Sequence, residues 1–141
     1  MTLRDVVNVL EAVALREPAV RTVVPNDVFA LNTMQDARYG VFAWTQGQHR
    51  VDIRNGLQRF ALTLFYVDRL TDDGANRLMI QSAGVQVLEN ILRAADASGV
   101  ETDGEVAFTT FNQRFLDDCA GVYASVTLLV PADTTCEIDY L

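Results

Sequence analysis

Lysine is absent from this chain of 141 residues, and all eleven of its basic side chains are arginine. Nineteen acidic residues leave a net charge of −8. A surface that grips nucleic acid needs clustered Lys and Arg, and this balance argues against one. Arginine without lysine suits protein interfaces, where lysine is depleted. The codon bias of a GC-rich genome explains the same usage equally well. Histidine occurs once, at His49, which excludes a two-histidine metal site. The two cysteines, Cys119 and Cys136, are too few and too far apart for a zinc site or a CxxC pair. They read as free thiols, Cys119 buried and Cys136 in an exposed tail. No apolar run approaches the roughly 20 residues that span a bilayer, so no membrane partner is expected. The N-terminus lacks a signal-peptide layout, and folding in a cytosol is the default. A Gly-rich phosphate loop, a nucleophile elbow and an HExxH motif are all missing. No enzyme and no cofactor are expected.

Half of the chain is hydrophobic, enough for a sizeable core in one domain. Thr2 followed by Asp5 resembles a capping arrangement. Leu3, Val6, Val7, Leu10, Val13 and Ala14 then recur at the spacing of one helix face, and Pro18 stops the helix. Short strands are expected over residues 28–31 and 39–45, with 46–50 a polar turn or long loop. Asn55-Gly56 signals a tight turn. Residues 57–68 carry the strongest strand pattern, with Phe60, Leu62, Leu64 and Tyr66 on one face and Ala61, Phe65 and Val67 on the other. A strand apolar on both faces needs cover on both, and a neighbouring subunit is one source of the second cover. A second helix is expected over 76–97 with Gly99 as its C-terminal cap. Strands over 106–111 and 122–130 follow, the latter ended by Pro131. This order predicts an α+β fold, a mostly antiparallel sheet with two amphipathic helices packed on one face. It forms one domain over 1–131, followed by an acidic arm over 132–141.

Candidate functional residues fall in three places. The polar segment around Gln46, Gln48, His49, Arg50 and Arg54 suits the rim of an interface, and we expect it to extend toward an adjacent subunit. Pairing of His49 with Cys119 or Cys136 as a nucleophile is conceivable. A surface or hydrogen-bonding histidine is the better reading, since no third group is placed to activate it. Ile138, Tyr140 and Leu141 are apolar residues that a free tail has no need to carry, so they are candidates for docking on a partner. The pairs Asp72-Asp73 and Asp117-Asp118 lack the ligand spacing of a calcium loop and read as solvated turns or helix caps. If the protein lines a DNA channel, these pairs are the candidates to face it, because an acidic wall lets DNA slide without sticking. Phe108, Phe111 and Phe115 read as core or contact residues, with no basic residues interleaved for stacking on bases.

Four strings carry a resemblance: ARYGVFAWTQGQH at 37–49, FYVDRL at 65–70, IQS at 80–82 and FLDDCAGVY at 115–123. They are similar to small proteins of phages and prophages of Bacteroides-type bacteria, including crAss-like phages. The element order also resembles the tail-terminator and tail-completion proteins of long-tailed phages, which assemble as rings at the head–tail junction. The resemblance implies a virion protein assembled in the host cytoplasm, a subunit of a neck or tail ring around the DNA channel. Its expected partners are copies of itself in six-fold or twelve-fold rings, and portal, connector or tail proteins. The genome would pass without specific binding. A small ligand-binding domain or enzyme encoded by a mobile element is the alternative, with the second apolar sheet face lining a pocket.

Overall fold

A computed structural model describes residues 1–24, 40–71, 73–112 and 119–131. The chain opens with α1 (Leu3–Leu15), started by a reciprocal cap. Thr2 N donates to Asp5 Oδ2 at 2.7 Å, and Asp5 N donates to Thr2 Oγ1 at 3.3 Å. Two otherwise unpaired amides are thus satisfied. Val6, Leu10, Val13 and Ala14 form the buried stripe that the spacing predicts.

Then come β1 (Thr22–Val24), β2 (Val41–Gln46), β3 (Arg50–Asp52) and β4 (Leu57–Arg69). Helix α2 (Arg77–Ala97), β5 (Glu101–Thr102), β6 (Phe108–Asn112) and β7 (Cys119–Pro131) complete the order. The expected α+β class holds: a seven-stranded sheet in which every pairing is antiparallel except β1 with β2. Its spine is β4 against β7, thirteen residues each, in register from Leu57 opposite Pro131 to Arg69 opposite Cys119. β2 and β3 share the outer side of β4, while β6 and β5 share the outer side of β7.

Strand alternation sorts the faces. Phe42 and Trp44, Phe60 through Tyr66 at every second position, and Val122 through Val130 likewise, join α1 and α2 in the main core. Trp44 Nε1 also donates to Glu11 Oε2 at 3.0 Å and ties β2 to α1. Gly84 lets α2 lie close to the sheet: a Cβ there would stand 2.8 Å from Val122 Cγ2 and 3.1 Å from Tyr66 Cδ2. The other face carries a second buried cluster of Val24, Val41, Ala43, Val67, Phe111 and Cys119. Val41, Ala43, Val67 and Cys119 are fully buried within the single chain, so no neighbouring subunit is needed to cover them.

Three short strands depart from the sequence expectation. β1 and β5 are absent from the sequence expectation, and β3 falls inside the polar segment, Gln46 to Arg54, expected to extend from the domain as a loop. Only residues 47–49 separate β2 from β3. The strand expected over 28–31 and the arm over 132–141 lie outside the described residues.

Candidate interaction surface

The sheet face turned away from the helices changes character along its length. At the Cys119 end, Phe65, Phe111 and Tyr123 form an aromatic cluster with ring centroids 5.8–6.4 Å apart. Phe65 and Tyr123 are only partly buried, so this cluster reaches the surface. The middle is polar and small: Thr63 and Ser125 face each other across β4 and β7, hydroxyls 3.4 Å apart.

The far end is charged. Arg50 on β3 stands directly opposite Arg59 on β4. Both line a cavity of about 420 Å³ together with Gln48, Ala61, Asp103 and Thr127. Ala61 and Thr127 are opposite each other on β4 and β7, and their short side chains leave the hollow between the longer ones. Asp103 N donates to Thr127 O at 2.8 Å, which holds the segment after β5 against this edge of the cavity.

Beyond the cavity the β3–β4 hairpin turns where the Asn55-Gly56 signal stands, through a four-residue loop over 53–56 closed by Gly56 N donating to Asp52 O at 2.8 Å. Gly56 has φ +70°, a conformation that costs glycine little. Asp52 accepts from Arg54 N, Asn55 N and Asn55 Nδ2 at 2.9–3.1 Å. These bonds, the Asn55 amide foremost, hold its carboxyl below the usual carboxylate range. The tip is apolar, with Ile53 87% and Val51 46% exposed. Arg54 is exposed beside them.

The structure separates the residues singled out in the sequence. Gln48, Arg50 and Arg54 lie along this charged end. His49 is engaged inside the fold: its Nδ1 accepts from Ala61 N at 3.2 Å, and its Nε2 meets Gln46 Oε1 at 2.9 Å. Its ring edge packs on Phe60, centroids 5.5 Å apart. The segment is therefore folded onto the sheet as far as Asp52, and only the hairpin tip over 53–56 lies beyond the pairing. Cys119 is fully buried, as the sequence reading expects. It sits opposite Arg69, eight residues along β4 from Ala61, which is about 27 Å at strand spacing. His49 and Cys119 do not form a catalytic pair.

Asp73 lies at the other end of the molecule, between β4 and α2. It accepts from Thr71 Oγ1 at 2.8 Å and Ala75 N at 3.0 Å, and the Ala75 amide leads in lowering its pKa. It is a solvated turn residue, as the blander reading has it. Asp72, Asp117, Asp118, Cys136, Ile138, Tyr140 and Leu141 lie outside the described residues.

Two further hollows flank the sheet. One of about 610 Å³ lies between α2 and the β5–β6 segment, lined by Glu89, Leu92, Asp96, Thr102 and Phe108 among others. The Thr102 hydroxyl there is buried with no hydrogen-bond partner. A smaller one, about 260 Å³, holds Arg21, Tyr66 and Asp68. Tyr66 donates to Asp68 Oδ2 at 3.5 Å, and burial followed by the Asp68 charge pushes its pKa up to about 12.

Among the described residues, no group of three or more His, Cys, Asp or Glu side chains is placed to hold a metal ion. Nor is any helix among them long and apolar enough to cross a membrane. Sequence reasoning missed Arg59, Asp103 and Thr127, which complete the charged cavity. No family model matches the chain, and a search of curated proteins finds no match.

Proposed function

We propose that this chain is a structural subunit that assembles with copies of itself into a ring at the neck or tail of a bacteriophage particle. The observation that carries the reading is the pair of open sheet edges. β1 ends the sheet on one side and β6 on the other, with no further strand on either among the described residues. β6 reads Phe-Thr-Thr-Phe-Asn, with Thr109 and Thr110 exposed. It carries no charge and no proline, the devices that normally keep an edge strand from pairing.

Two different edges on opposite sides of one sheet make a head-to-tail contact, which closes into a ring when the rotation between copies allows. Strand addition supplies the backbone hydrogen bonds, and adjacent side chains set the specificity. The resemblance to phage proteins, and to tail terminators in element order, supports the ring as the product. In that setting the portal, connector and tail proteins are the axial neighbours, and the genome passes through the lumen.

The test places Lys on the edge. Native mass spectrometry of the full chain should show rings, and Thr109→Lys with Thr110→Lys should give monomers with an unchanged melting temperature. Protein that stays monomeric at its highest soluble concentration, or rings that survive both substitutions, would overturn the edge-pairing model. A strict monomer would favour the ligand-binding alternative, for which the hollow beside Thr102 is the larger of the cavities described.

A further inference from the structure

We infer that the hollow between Arg50 and Arg59 is a binding site for a carboxylate. The inference rests on the cavity alone and not on ring assembly. Like charges directly opposite on neighbouring strands repel, and Arg50 faces Arg59 across the β3–β4 pair. Among the described residues neither guanidinium has a hydrogen-bond or salt-bridge partner. Asp52 acts on Arg59 only through space, because its oxygens hold the hairpin turn. Arg59 is also partly buried, which raises the cost of leaving its donors unpaired. Both side chains line one cavity, Arg50 from its exposed rim and Arg59 from a partly buried position.

The lining selects the ligand class. Arg50 and Arg59 supply two positive charges to the lining and Asp103 one negative, so the lining itself carries one net positive charge, with Asp52 outside it in the hairpin turn. A carboxylate carries a single negative charge and presents two oxygens in a plane, the shape that a guanidinium fork binds in pairs. Sulfate, or phosphate as a dianion, brings twice that charge against Asp103. Gln48 and Thr127 line the same cavity and add neutral donors at its sides, while the methyl groups of Ala61 and Thr127 set its depth. The carboxylate can come from an acidic protein segment or from a free organic acid. A nucleic-acid backbone is disfavoured, since it needs a run of cations and here meets Asp103 and the Asp52 turn.

The test uses the full chain with methyl-labelled alanine and threonine, which reports in assemblies as well as monomers. Acetate, sulfate and a capped acidic peptide, acetyl-Gly-Asp-Glu-Gly-amide, are titrated separately at constant ionic strength. Acetate and the peptide should both move the Ala61 and Thr127 methyl signals to saturation. Arg59→Gln and Arg50→Gln should each weaken binding about tenfold or more, the loss of one charge-assisted fork. Arg59→Lys should restore only part of it, because the planar fork is lost. Thermal melts confirm that each variant folds. Tighter binding of the peptide than of acetate assigns the site to a protein segment, and equal or weaker binding assigns it to a free acid. No saturable shift, sulfate binding as tightly as acetate, or full affinity in both glutamine variants overturns the inference.

Discussion

Replacing Gly84 with alanine sets two effects of opposite sign against each other. Alanine is favoured over glycine in a helix interior by about 1 kcal/mol, so an exposed glycine in α2 would gain stability on replacement. Gly84 is buried on the sheet, and its new methyl would meet Val122 Cγ2 at 2.8 Å and Tyr66 Cδ2 at 3.1 Å. Val122, which supplies the closer contact, is 0% exposed on the β4–β7 pair, so its methyl cannot swing out into solvent to relieve the clash. Overpacking of this kind costs about 1–3 kcal/mol. The clash wins, and Gly84→Ala should destabilise by a net ~1 kcal/mol, read as a lower urea midpoint at unchanged slope.

The same geometry predicts the remedy. Val122→Ala alone opens a cavity and should cost roughly 2 kcal/mol. In the double variant the alanine methyl at 84 enters the space left by Val122 Cγ2. The two changes should then cost less together than the sum of their separate costs, by on the order of 1 kcal/mol. A stabilised Gly84→Ala, or additivity within about 0.5 kcal/mol, would refute the close approach of α2 to the sheet.

Two further outcomes follow from buried polar groups. Thr102→Val removes a buried hydroxyl that has no partner, while keeping the shape of the side chain. It should be neutral or stabilise by about 1 kcal/mol in urea unfolding, and a clear loss would mean that the hydroxyl is bonded. Tyr66 keeps its proton more tightly when folded, its pKa rising from 10.0 to about 12. Its contribution is therefore complete below the unfolded value and falls as pH rises from 10.0 to about 12, because the unfolded chain loses the proton first. Tyr66→Phe should flatten that alkaline loss of stability. An identical pH profile in the variant would place the ionisation elsewhere.

The parts legible in the sequence are those that local periodicity encodes. α1 appears from its apolar stripe and Thr2–Asp5 cap, α2 from Ile80, Val87, Leu88, Ile91 and Ala95, and β4 and β7 from alternation. The short strands are different, because β1, β3 and β5 exist only through their neighbours. β3 has three residues and none is fully buried, so alternation says nothing about it. A signal for it was nevertheless present. The turn signal at Asn55-Gly56 folds the chain back on β4, but the loop spans four residues, 53–56, and that length sets the register that puts Arg50 across from Arg59 in place of Ala61. Asp103 and Thr127 join that pair only through the long-range register of β7 with β4 and β5, which no local pattern carries.

The spacing of the two exposed features bears on how many neighbours the chain can serve. Phe65 and Arg59 lie on the same face of one strand, six residues apart, about 20 Å at strand spacing. Both are built on the β4–β7 pair, thirteen residues long on each side, which fixes their separation. The polar strip of Thr63 and Ser125 divides them, so the surface is not one continuous apolar patch. A single partner that touched both ends would have to cover polar ground between them. Two neighbours, one seated on aromatics and one on arginines, meet each chemistry separately. For a ring subunit that division matches the two directions of contact, sideways to its own copies and along the axis to a different protein. In the proposed ring the edge strands would serve the first direction and leave the arginine cavity free for the second. A ring that still forms when Arg50 and Arg59 are replaced by glutamine is the outcome this division requires. Loss of the ring in that variant would put both chemistries in one interface.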